Sequence, residues 1–100
     1  MNEEGTSLVY VDNVRVPFKG RLWCHLLADD LNELHAFAVA MNIDPRLFHR
    51  KASYPHYDIT IEMREVMLQH GAIPADRKTI IECAKKLKLQ LLNLERHEQS

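Results

Sequence analysis

Apolar and polar residues alternate through SLVYVDNV, with Val9 and Val11 on one side and Tyr10 and Asp12 on the other, which predicts a short strand. In LWCHLLA, Leu22, Cys24, Leu26 and Ala28 fall on one side and Trp23, His25 and Leu27 on the other. Both sides are largely apolar, as in an interior strand covered on both faces, a pattern that a buried helix start also produces. Between the two, VPFKGR carries Pro17 and Gly20, the chemistry of a turn or loop.

The period then changes. In DDLNELHAFAVAMNI, Asp30 followed three residues later by Glu33 is a capping box. Leu31, Leu34, Phe37, Ala38 and Met41 make a helical stripe, and Ala36, Val39 and Ala40 leave little polar face, so a well-buried helix is expected to end near Asn42. IDPRLFHRKASYPHYD is the least regular stretch. Asp44 before Pro45 suits a single helical turn, whereas RLFH reads equally as a short strand.

Thr60 caps the next helix, IEMREVMLQH, with Glu62 in its first turn, Gly71 as its stop, and Met63, Val66 and Met67 toward the core. Asp76 caps a third. There Ile80, Ala84, Leu87, Leu91 and Leu94 recur at spacings of four and three, with no glycine or proline from Arg77 onward. LKLQLLNL also alternates, so a helix followed by a strand competes with one long helix, and the unbroken run favours the helix.

These elements predict an α/β fold: a single compact domain with a small sheet, three helices and a long C-terminal helix. Residues 1–6 are read as a disordered start, 7–75 as the core and 76–100 as a helical extension. With 100 residues and 46% hydrophobic content, the chain can build one core but not two. The net charge of -1 gives no electrostatic pull toward nucleic acid, and no basic stripe interleaves with aromatics. No apolar run approaches the roughly 20 residues of a membrane span. The polar start resembles no signal peptide, and Cys24 and Cys83 lie far apart with no C-x-x-C, so free thiols in the cytoplasm are expected.

Chemistry enters with the histidines, six in the chain and five of them between positions 25 and 70. Asp29 and Asp30 follow the predicted strand at its carboxyl end, where open α/β sheets bind ligands and where the next helix aims its amino end. His25 and His35 flank that point. In PHYDIT, Pro55 favours extended backbone, which sets His56 and Asp58 on one side and Tyr57 on the other. Such an H-x-D pair can hold a divalent metal or orient a histidine for proton transfer. Equally, Asp30 serves as a cap, His25 and His35 as packed core or edge residues, and Asp58 as a helix-entry residue. His49 joins Arg46, Arg50 and Lys51 in a basic loop that is either a phosphate contact or simply solvated. His70 suits a helix carboxyl end. Nucleophile motifs, a P-loop and a glycine-rich dinucleotide loop are absent.

Together VYVDNVRVPFKGRLWCHLLAD, ELHAFA and PHYDIT resemble domain-of-unknown-function family 4031 of bacteria and tailed phages, over about residues 8–73. The shared pieces fall on Tyr10, Val11 and Asp12; Cys24, His25, Ala28 and Asp29; Glu33, Leu34 and His35; His56, Tyr57 and Asp58; Arg64; and Gly71 with Ala72. The resemblance implies no activity, but its motifs centre on His and Asp, as a site would. Two readings follow. In one, His25, His35, His56 and Asp58 act chemically, with Asp12, Asp29 and Arg64 binding a phosphorylated or nucleotide-like ligand or a divalent metal. In the other, a non-enzymatic module meets a second copy or a host protein through Ile80, Leu87, Leu91 and Leu94.

Overall fold

The computed structural model describes residues 8–50 and 52–99. The expectation for residues 1–6 therefore lies outside the described residues, as does Lys51. Six strands and three helices are present among the described residues: β1 (Val9–Val11), β2 (Val16–Phe18), β3 (Arg21–Ala28), α1 (Leu31–Ala40), β4 (Phe48–His49), β5 (His56–Thr60), α2 (Ile61–Gln69), β6 (Ile73–Pro74) and α3 (Arg77–Gln99). A single 3₁₀ turn, Pro45–Leu47, precedes β4, so the Asp44–Pro45 stretch supplies both the turn and the strand. No described helix is long and apolar enough to cross a membrane.

The strands form one mixed sheet in the order β4-β5-β3-β1-β6, with β2 also paired to β3. β1–β6 is parallel and the other pairings are antiparallel. β1 and β2 lie along β3 one after the other, so VPFKGR is a strand and a tight hairpin turn rather than a loop. Lys19 and Gly20 have φ of 51° and 76°, the doubly left-handed backbone that joins Phe18 to its partner Arg21.

Alternation along the strands decides which side chains share a face. Register places Val9, Val11, Cys24, Leu26, Ala28, Tyr57 and Ile59 on one face. The other carries Tyr10, Trp23, His25, Leu27, His56 and Asp58, with Val16 opposite Trp23 and His49 opposite His56. On the first face α1 brings His35 against Tyr57, while α2 packs on β3 and β5. The second face is only partly covered. There α3 buries Ile80, Cys83 and Leu87 into the common core, and its first turns stand beside Asp12, His25 and Tyr54. No described helix covers the rest of that face.

Local capping holds each helix start. Asp30, Thr60 and Asp76 side chains accept from the backbone N–H groups of Glu33, Met63 and Thr79 at 2.8, 3.2 and 2.9 Å. Across elements, the Gln90 amide oxygen accepts from Leu31 N–H at 2.7 Å, tying α3 to the start of α1. Two burial expectations change. Val39 is 78% exposed and Val66 49% exposed, because each of these helices presents one stripe to the sheet and turns the rest outward. The extended reading of PHYDIT holds: His56–Thr60 is an interior strand between β3 and β4 that runs directly into α2.

Candidate metal centre

The site lies on the uncovered half of the second face. Pairing of β3 with β5 sets His25 directly opposite Asp58, and His56 lies two residues before Asp58 on β5. One ligating atom from each of His25, His56 and Asp58 can be chosen so that all lie within 4.8 Å of one another.

The ring orientations are fixed from behind. Asp12 accepts from both the backbone N–H of His25, at 2.9 Å, and its ring Nδ1, at 2.6 Å. Arg64 braces this aspartate by donating Nε–H to its backbone carbonyl at 2.8 Å. His56 Nδ1 lies 2.9 Å from the Tyr54 carbonyl, which can only accept, so that nitrogen carries the proton. Each Nδ1 is thus committed as a donor, and each ring in its neutral form turns an Nε2 lone pair outward.

Both lone pairs face the same oxygen. Asp58 Oδ1 lies 3.2 Å from His56 Nε2 and 3.8 Å from His25 Nε2. Three acceptors converge where only a cation or a proton relieves their repulsion. Rings tied at Nδ1 to a carboxylate or carbonyl, with Nε2 free, are how proteins orient histidine ligands. Asp58's other oxygen, Oδ2, is 2.7 Å from His49 Nε2. The His49 ring stacks on His56 at 5.3 Å between centroids. Access is from the Asp58 side: its side chain is 30% exposed and that of His56 only 9%.

The two central histidines titrate in opposite directions. The Asp12 hydrogen bond lifts His25 above its ordinary value of 6.5, against the opposing pull of burial. Burial chiefly holds His56 below 6.5. His25 therefore contributes stability that is complete below pH 6.5 and disappears as pH rises through its folded value; His56 costs stability as pH falls from 6.5 through its own. Asp12→Asn removes the main lifting cause, so the His25 pKa followed by imidazole NMR is expected to fall while His56 stays low. A His25 value unmoved by that change would show that Asp12 does not control it.

Other predicted residues stand elsewhere. His35 is on the opposite face, where its Nδ1 lies 2.7 Å from the Tyr57 hydroxyl and its ring packs edge-on against Phe48. Asp29 accepts from the Tyr10 hydroxyl at 3.3 Å, the Cys83 thiol at 3.8 Å and Lys86 at 3.4 Å. The basic loop is divided between two acids: Arg46 pairs with Asp44 at 2.8 Å and Arg50 with Glu95 at 3.2 Å. Among the described residues of that stretch, only His49 reaches the cluster. Its signal in sequence was the FH pair, whose two-residue period opposite HY puts it beside His56. Both cysteines are free and buried, and burial pushes Cys24 up to about 12 and Cys83 to about 11, which leaves neither as a ready nucleophile. His70 bonds the Val66 carbonyl within its own helix, at 2.9 Å.

A cleft of 590 Å³ opens in front of the cluster, lined by His25, His49, His56 and Asp58 on one side and Val16, Phe18, Trp23 and Leu47 among its apolar residues. A family model described as "Protein of unknown function (DUF4031)" matches residues 9–87. That span includes every residue of the cluster and reaches into α3, beyond the motifs that ended near residue 73. No curated protein and no solved structure matches the chain.

Proposed function

We propose, for a chain that belongs to this DUF4031 family, a small domain that binds one divalent transition-metal ion and presents it to a ligand in the cleft. The ligands are His25 Nε2, His56 Nε2 and a carboxylate oxygen of Asp58. What carries this reading is the convergence of three lone pairs whose partner atoms are already engaged behind them. Two imidazoles and one carboxylate suit zinc, iron(II) or manganese(II), and three protein ligands leave positions for water or substrate.

The chemistry available is that of an exposed Lewis acid. The ion supplies a polarised oxygen ligand or an activated water, and the chain's own groups orient it. Asp12 and the Tyr54 carbonyl fix the two rings. His49, on the far oxygen of Asp58, is placed to take or give a proton at the cleft wall. A phosphorylated or otherwise anionic ligand fits this account through the ion's charge rather than through Arg46 and Arg50, which are paired with Asp44 and Glu95.

Calorimetric titration of the metal-free chain with zinc at neutral pH tests the proposal. The expected result is one ion per chain with a Kd at or below about 1 μM, in keeping with a preorganised three-ligand site. Absence of saturable binding for zinc, cobalt(II) and manganese(II) alike would leave the cluster as a hydrogen-bond network and nothing more.

A further inference from the structure

Resting on the metal reading, a second feature of the cleft indicates what it would take. We infer that the ligand is a small molecule with an anionic oxygen donor at one end, for the ion, and a flat apolar group at the other, packed on Trp23 and Phe18.

Register builds the apolar wall beside the ligand set. Trp23 and His25 alternate along β3 and share its face, Val16 lies opposite Trp23, and Phe18 follows two residues along β2. The indole Nε1–H donates to the Phe18 carbonyl at 2.9 Å, so its single donor is satisfied and its orientation fixed. What Trp23 offers the cleft is an apolar surface with no polar demand. Phe18 is 59% exposed and Val16 46% exposed, although both lie on a strand within the sheet. Large apolar side chains left uncovered beside convergent polar groups are the usual makeup of a small-molecule pocket, and 590 Å³ is within the size range of such pockets.

The polar end is decided by charge. A divalent ion on two neutral imidazoles and one carboxylate keeps one positive charge in its own shell, with the balancing Asp12 carboxylate set behind the His25 ring and away from the open positions, which favours an anionic donor there. Arg46, at the cleft wall, is engaged by Asp44 through Nε and Nη2 at 3.1 and 2.8 Å, so the ion and not the guanidinium sets that preference. The donor and the apolar group must also be close together, since Trp23 and His25 are alternate residues of one strand.

Phenylphosphonate and methylphosphonate carry the same oxyanion and differ in the ring. Their binding to the zinc-loaded full chain can be followed by calorimetry and by the fluorescence of Trp23, the chain's one tryptophan. Phenylphosphonate is expected to bind at least about tenfold tighter, because an aromatic ring is buried against the wall, and to perturb the Trp23 emission. Phe18→Ala, at an exposed position, is expected to erase most of that preference while zinc affinity stays unchanged. Equal affinities, or a preference that survives Phe18→Ala, would overturn the inference and leave the metal reading standing. A zinc-loaded chain that sediments as a dimer undisturbed by phenylphosphonate would overturn it too, by assigning the wall to a second copy. Failure of zinc itself to bind would remove both.

Discussion

Asp58→Ala is expected to weaken zinc binding by at least about 100-fold, the upper end of what loss of an outer-shell partner costs, because it deletes a direct ligand. The same substitution should scarcely affect stability. Asp58 sits at the rim of a cleft, on the part of its face that no described helix covers, and its removal also relieves the crowding of acceptors around its Oδ1. It therefore separates binding from folding better than His56→Ala would. His56 is 7% exposed and packed among the rings of His25, His49 and Tyr54, so its truncation disturbs the interior as well. His35→Ala serves as the control, since the sheet stands between it and the cluster, and zinc affinity should not change. The measurement is calorimetric titration of each variant, with circular dichroism to establish folding. An Asp58→Ala affinity within about threefold of the native value, less than 1 kcal/mol, would mean that the carboxylate is not a ligand.

Leu87→Ala is expected to cost about 2–5 kcal/mol of folding stability, as large-to-small changes at closed sites do. Leu87 is completely buried, and with Ile80 and Cys83 it joins the same core as Leu26, Leu27 and Leu34. A chain of this size holds roughly 5–15 kcal/mol in total, so the loss should shift the urea midpoint conspicuously. Leu94, in the same heptad-like stripe, is 51% exposed, and its truncation should change the midpoint little. The contrast distinguishes the two uses of the stripe. If α3 serves only this chain's core, the Leu87 effect is independent of protein concentration. If it joins copies, both variants lose stability more steeply at low concentration. A Leu87→Ala protein as stable as the native one would contradict its place in the core.

Helix starts were legible because a cap is a local event. Asp30, Thr60 and Asp76 each reach a backbone N–H three residues ahead, a contact that three or four letters of sequence contain. β3 was legible because it is eight residues long and largely apolar on both sides, although only Cys24 and Leu26–Ala28 are buried and Trp23 and His25 face the cleft. β5 was harder. Its His56 and Asp58 face a cleft, so the apolar run expected of an interior strand is broken by polar residues placed for the site. β6 is two residues long and exists through its parallel pairing with β1, which no local pattern announces. Val39 and Val66 show the opposite difficulty: an apolar residue on a helix does not say whether a sheet lies in front of it.

For the site, spacing alone determined that His56 and Asp58 share a side of an extended segment, since alternation is a property of any strand. It also determined that Tyr57 points away from them, and that Asp12 faces opposite to Val11. Register between strands distant in the chain decided the remainder. The pairing of His25 with Asp58 assembled the cluster, and that of His49 with His56 brought in a histidine from what read as a basic loop. The same alternation turned Tyr57 to the far face, where the packing of α1 brings His35 against it. A shift of one residue in either pairing would have exchanged the two faces. The sequence carries the parity of each strand, and only packing of the whole sheet chooses which parities meet.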